Sequence, residues 1–502
     1  MHFILWGRIL CLGVCLIPAF FPITIVFMGS EGAYDVVVIG SGPNGLAAAV
    51  VLAQAHLSVL VLEGEDTIGG GTRTAELTQP GFLHDVCSAV HPMGVLSPFF
   101  KELPLAEHGL TWLHPPASVA HPLDGGTAVL LQRSLDATAE GLGRDGAAWR
   151  RLVTPFLRRP DVLLADLMAP LGVPRAPFAM AHFGWYGMRS ARQLARRFAG
   201  PRARALLAGC AAHSILPLTR LPSAAVGLVF AITGHLTDWP VARSGSAAIT
   251  TALAGYFRSL GGEIQTDRPV AALADLPEAP AVLFDTAPKQ MIAIAGEALP
   301  AGYTKRLSKY RYGPGAFKLD WALSGPIPWR DEACALASTV HVGGTLEEIA
   351  AAEAAAWQGE IPERPFVLVC QQSHFDDTRA PHGMHTGYAY CHVPHGCQVD
   401  MTARIEAQIE RFAPGFRDLI LARHTCDPAG FEAYNGNYVG GAITGGVADL
   451  GQLFTRPIAR LNPYTTPNPR LFLCSASTPP GGGVHGMCGY HAAQAVMKRL
   501  GV

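Results

Sequence analysis

The sequence predicts an α/β protein in which a Rossmann-like dinucleotide fold is interleaved with a mixed α+β second domain. Three observations carry this expectation. Near the start, Asp35 to Ile39 is a short apolar run ending in Gly40-Ser41-Gly42-Pro43-Asn44-Gly45; an alanine-rich helical stretch follows, Leu46 to Ala55. A second strand, Ser58 to Leu62, then ends in Glu63, which completes one βαβ unit: strand, tight turn, helix, strand, acid. An α/β pattern returns at 245–290, with a helix from Ala247 to Leu260, a stop at Gly261-Gly262 and short strands after it. The chain closes with a strand from Leu471 to Ser475, a glycine turn and a helix from about Val484 to Leu500. Segments from both ends returning to one sheet place a helical and β insert between the halves of the nucleotide fold.

The remaining elements follow from periodicity. Residues 134–235 read as mainly helical, Phe366 to Cys370 and Gly387 to Val393 as strands, and Arg404 to Phe412 as a short helix with charges on one face. The expected organisation is an apolar extension over 1–32 and nucleotide-fold parts over 33–133, 241–300 and 441–502. Between them lie a mainly helical substrate or cap region, 134–240, and a substrate-domain β part, 301–440.

The turn after the first strand carries the chemistry. Gly40 allows the tight turn, Gly42 lets the backbone approach a pyrophosphate, and Gly45 permits close helix–strand packing, with Ser41, Pro43 and Asn44 between them. The helix N-terminus offers unpaired N–H groups and partial positive charge to phosphates. Glu63, 18 residues after Gly45, would accept hydrogen bonds from ribose hydroxyls. A second cluster, Gly69-Gly70-Gly71-Thr72-Arg73-Thr74, can run beside a long extended cofactor, with Arg73 near phosphate or flavin oxygens. A third, Gly481-Gly482-Gly483-Val484-His485-Gly486, sits between a strand and the last helix. The chain ends 16 residues after Gly486, too soon for a second ribose acid, so this turn suits the flavin ring better than a separate NAD(P) site. FAD is therefore the expected cofactor. His485 is the side chain expected nearest the flavin and the candidate catalytic residue, against the alternative of a turn residue satisfied by backbone. Tyr490 and His491 point to the same region more weakly, since helical spacing could turn them into the core.

Composition limits the alternatives. Hydrophobic residues make up 49% and charged residues 15%, and the formal net charge is −1. That balance argues against nucleic acid, which needs a clustered basic excess. The weakly basic run Arg189 to Arg204 offers a peripheral membrane contact, weighed against a solvated helix face. The 11 cysteines include no C-x-x-C pair, which suits reduced thiols in a cytoplasmic setting; Cys391 and Cys397 read as lying near a strand end. Ile9 to Phe27 is almost purely apolar but interrupted by Pro18 and Pro22, so Met28 is the expected natural start, with a membrane anchor as the alternative. His374, His382, His385, His392 and His395 match no compact zinc spacing, so no metal is expected. No G-x-S-x-G elbow supports a hydrolase.

These motifs together resemble the phytoene dehydrogenase-related (carotenoid and retinoid desaturase-like) FAD oxidoreductases, nearest to their pyridine nucleotide-disulfide oxidoreductase domain-containing branch. The resemblance covers about residues 33–502. It rests on Val36 to Gly45, Ile68-Gly69-Gly70-Gly71, Pro80-Gly81-Phe82 with His84-Asp85, and most specifically Pro479 to Met487. It implies a glutathione-reductase-type FAD fold, a hydrophobic substrate tunnel, and Val270 close to the adenine. It places Gly482, Gly483, Val484 and Met487 against the cofactor. The chain departs from related flavoenzymes in having only hydroxyls, Ser475 to Thr478, after the last strand, and in lacking the cysteine pair of disulfide reductases. The expected reaction is hydride transfer from a hydrophobic polyene, isoprenoid or lipid-like substrate to the flavin, with oxygen or a quinone as electron acceptor. A redox-neutral double-bond isomerase and a low-turnover flavoprotein acting as a regulator are the alternatives.

Overall fold

Val36–Ile39 is apolar throughout and buried on both faces, the composition of a central parallel strand. It pairs in parallel with Val59–Leu62 on one side and Ala281–Phe284 on the other. Glu263–Gln265 and Leu471–Leu473 complete a five-stranded, all-parallel sheet in the order Leu471–Leu473, Ala281–Phe284, Val36–Ile39, Val59–Leu62, Glu263–Gln265. The computed structural model describes residues 34–502. The readings made for the apolar N-terminal stretch therefore lie outside the described residues.

Helices Pro43–Gln54, Ala247–Ser259 and Met487–Leu500 share one apolar cluster with this sheet. Small side chains let the first and last approach closely: Ala47 and Ala48 face Ala492 and Ala493 within that cluster. A Cβ on Gly489 would run into the carbonyl of Asn44. The last helix begins at Met487, not Val484, because Gly486 takes the left-handed conformation (φ +69°) just before it.

A second, mixed sheet has seven strands in the order Ile420–Cys426, Gly315–Leu323, His385–Val393, Val367–Cys370, Ala337–Val342, Ala117–Leu123, Thr127–Leu131. Alternation gives it two different faces. Phe317, Leu319, Trp321 and Leu323 pack with Ile405 and Ile409 of helix Thr402–Phe412. On the other face Lys318 stands opposite Tyr390 and Asp320 opposite Tyr388. Seven helices between Leu135 and Thr237 build a further core around Trp149, Leu228 and Ile232, which also takes in Leu368 and Trp239.

Residues 117–131 correct the expectation that 33–133 serve only the nucleotide fold. They add two strands to the seven-stranded sheet, Ala117–Leu123 pairing in parallel with Ala337–Val342. The nucleotide sheet already has its two edges filled by Glu263–Gln265 and Leu471–Leu473. The arginine run is partly tied to the protein: Arg202 donates to the carbonyls of Gly141 and Ala128, Arg204 pairs with Glu347, and Arg197 lies over the Tyr186 ring. Among the described residues no helix is long and apolar enough to cross a membrane.

Candidate functional site

The carboxyl ends of the parallel strands open into one cavity of about 490 Å³, which continues to the polar face of the seven-stranded sheet. Ile39, Gly40, Leu62, Glu63, Asp285 and Ser475 line its nucleotide end, the position at which open α/β sheets bind ligands. Tyr388, Tyr390, Leu368, Phe230 and Trp239 line the other.

At the nucleotide end the backbone is the working surface. Gly40 holds φ +101°, and a Cβ on Gly42 would stand 2.7 Å from Asp285 Oδ2. Gly45 lies beneath the lining; its N–H donates to Asp285 Oδ2 at 2.8 Å, and a Cβ there would strike the Gly40 carbonyl. Pro43 opens the helix at its first turn, where its missing N–H costs nothing. Asn44 lines the cavity, and its Oδ1 is buried with no partner among the described residues.

Glu63 anchors the turn from the next strand. Its Oε2 accepts from the Ser41 N–H at 2.9 Å and from the Ser41 hydroxyl, and its Oε1 accepts from the Glu65 N–H and Arg73 Nη2. Arg73 lines the cavity, also donating to the Thr67 carbonyl and lying 5.3 Å over the Tyr434 ring. Gly69 supports the turn from below, its N–H donating to the Ser41 carbonyl, while Gly70 lines the cavity against Gly42. Val270, Gly482, Gly483 and Val484 line it too.

His485 does not. Its buried ring accepts from the Met487 N–H at 3.0 Å, and its carbonyl accepts from the Ser97 hydroxyl at 2.7 Å. Burial lowers the imidazole to about 4, so the ring is neutral. The structure places it as a turn residue satisfied by backbone. Met487 sits in the helix-covered core, Tyr490 packs on Phe99, and His491 contacts the Met168 carbonyl, all away from the lining. Of the five histidines, His374 and His385 lie side by side with ring centroids 5.0 Å apart, but the five do not gather at one point. His392 bonds Glu353 and His395 the Gly313 carbonyl, and among the described residues no group of three or more His, Cys, Asp or Glu could hold a metal ion. All nine described cysteines are free, Cys391 and Cys397 included.

Sequence reasoning missed Asp285 and the second half of the cavity. Asp285 follows strand Ala281–Phe284 directly, an acid at a strand end just as Glu63 is, and that placement was the available signal. Burial, with the Glu63 charge added, raises its carboxyl well above the usual carboxylate range. Phe230, Trp239, Tyr388 and Tyr390 carry no motif, and only the fold brings them together.

A model of the NAD(P)-binding Rossmann-like domain matches residues 38–103. Pyridine nucleotide-disulfide oxidoreductase domain-containing protein 2 of Mus musculus is 27% identical, with 93% of this chain and 94% of that protein covered. A limonene dehydrogenase polypeptide of Castellaniella defragrans is 31% identical over 26% of this chain and 24% of its own. A solved putrescine oxidase variant superposes with a TM-score of 0.62 at 16% identity, covering 94% of this chain and 99% of that one. The chain is thus homologous along most of its length to the mouse protein, has a Rossmann-like NAD(P)-binding domain, and shares its overall fold with putrescine oxidase.

Proposed function

We propose that the chain is an FAD-dependent oxidoreductase of the phytoene dehydrogenase-like kind, which dehydrogenates a hydrophobic substrate by hydride transfer to the flavin. The observation that carries this reading is the continuity of one cavity from the Gly40–Gly45 turn to the aromatic face of the second sheet. A dinucleotide laid from the turn toward Gly482–Val484 would end where Tyr388, Tyr390, Phe230 and Trp239 begin.

The residues present fit FAD. Glu63 would hold the ribose, Gly42 to Asn44 the pyrophosphate, Val270 the adenine, and Gly482 to Val484 the ring. Asn44 Oδ1, buried and unpartnered, is free to accept from the cofactor. Asp285 would repel a phosphate when charged, and the burial that raises its carboxyl disfavours that charge. When bound, FAD supplies the hydride acceptor. The chain's own part is to position an apolar substrate and exclude water, which the aromatic walls suit. The likeness to the limonene dehydrogenase polypeptide, whose name specifies a hydrocarbon, agrees with such a substrate. Oxygen or a quinone would take the electrons.

Anaerobic mixing of the flavin-loaded protein with isoprenoid and polyene probes tests this reading. Bleaching of the flavin bands together with a product two hydrogens lighter supports it. A product of unchanged mass would mean double-bond isomerisation instead, and bound FAD that no probe reduces would overturn the oxidoreductase reading.

A further inference from the structure

The chamber at the far end of the cavity is aromatic, but it is not uniformly apolar. His213, which caps helix Pro201–Ala212, lines it beside Phe230 and Trp239, with ring centroids 4.4 and 5.5 Å from theirs. Its Nε2 is 2.9 Å from Nε2 of His341, whose ring is fully buried on strand Ala337–Val342. Its Nδ1 makes no hydrogen bond to any described residue. Tyr390 packs in the same cluster as Phe230, Trp239 and Leu368, and its hydroxyl likewise has no partner among the described residues.

The proton positions follow from what lies behind. Burial pushes His213 down to about 3 and His341 well below the usual histidine range, so both rings are neutral with one N–H each. Two neutral rings meeting Nε2 to Nε2 share a single N–H, so one donates and the other accepts. His341 Nδ1 is buried with no partner. A buried N–H without an acceptor is rarer in proteins than a buried lone pair without a donor. His341 therefore keeps its proton on Nε2 and donates to His213, which leaves His213, a residue of the chamber lining, protonated at Nδ1. Burial also raises the Tyr390 hydroxyl, which keeps it a donor.

We infer that His213 and Tyr390 form a carbonyl-recognition point, so that the substrate is an apolar molecule bearing an aldehyde or ketone oxygen. Two neutral donors beside aromatic walls match an uncharged acceptor with two lone pairs; the nearest cation, Lys318 over the Tyr388 ring, is already paired with the buried Asp320. His341 acts as a positioning residue, fixing the tautomer of His213. This rests on the proposed function only in taking the chamber as the substrate site.

The test is calorimetric titration of the full-length, FAD-loaded protein with β-ionone and with the hydrocarbon in which its carbonyl is replaced by a methylene group. A net hydrogen bond of ordinary strength gives a preference for the ketone of about tenfold. His213→Phe and Tyr390→Phe should each lower ketone affinity more than hydrocarbon affinity and so erase most of the preference. His341→Phe should reduce the preference and be less damaging than His213→Phe. Equal affinities in the unmodified protein, no binding of either probe, or variants that weaken both probes alike would overturn the inference. The flavin spectrum of each preparation separates the failures: loss of FAD binding counts against the proposed function, whereas bound FAD without ketone preference counts against the recognition point alone.

Discussion

The two ends of the cavity are built on opposite principles. The nucleotide end is made of backbone: Gly40, Gly42, Gly70, Gly482 and Gly483 present amides and carbonyls, and what shapes it is the absence of Cβ atoms. The chamber end is made of side chains, with Phe230 and His213 from the helical region and Tyr388, Tyr390 and Leu368 from two strands. A surface made of backbone resists change, because an added Cβ meets a carbonyl at Gly40 and Gly482, a carboxylate at Gly42, the Gly42 backbone at Gly70 and the His485 ring at Gly483. A surface made of side chains can be altered one group at a time. This difference suits a constant cofactor joined to a variable substrate.

The contrast predicts unequal tolerance. The largest effect should come from Gly45→Val, whose branched side chain has nowhere to go but the Gly40 carbonyl and Asp285. Overpacking against backbone should cost roughly 3 kcal/mol or more and abolish FAD retention, read by thermal unfolding and flavin absorbance. Wild-type Tm in that variant would break the comparison. Next is Glu63→Gln, which keeps the shape but removes the charge that accepts from Ser41, Glu65 and Arg73. Loss of charge-assisted bonds of roughly 1.5–3 kcal/mol should weaken FAD about ten- to a hundredfold, measured by fluorescence titration.

Asp285→Asn sharpens the same end through pH. A carboxyl whose folded pKa is raised stabilises the protein fully below its unfolded value of about 4 and loses that contribution as pH climbs toward its folded value. The Tm of the parent should fall relative to Asp285→Asn as pH rises from about 4 to 8. Parallel Tm profiles would show that the Asp285 carboxyl is not raised in the folded protein. The smallest effect belongs to the chamber: Phe230→Leu should cost about 1 kcal/mol or less, leave FAD content unchanged and alter only which substrates bind, read by Tm and by flavin content after desalting.

The same contrast explains what could be read in advance. Val36 to Gly45 with Glu63 gave the βαβ unit because close approach of backbone to phosphate demands glycine at fixed spacing, and that requirement is written in consecutive residues. The last strand and helix were legible for the same reason, although the helix start slipped from Val484 to Met487 over the left-handed Gly486. The chamber was not legible. Tyr390 and Trp239 share a core, and His213 packs on Trp239, only through the pairing of distant strands and helices, and an aromatic residue in a strand reads as core until its neighbours are known. His485 misled because its place in a glycine turn suggested exposure to the cofactor, whereas the Met487 N–H turns its ring inward. Asp285 went unnoticed because its partner, the Gly45 N–H, lies 240 residues away.

The most direct measurement is the absorption spectrum of the purified full-length chain, before and after heat release of cofactor, with the released molecule identified by mass. Flavin bands and FAD, bound about one per chain, are the predicted result. A folded protein that is colourless and takes up no added FAD would contradict it, and the glycine-lined groove would then need another occupant.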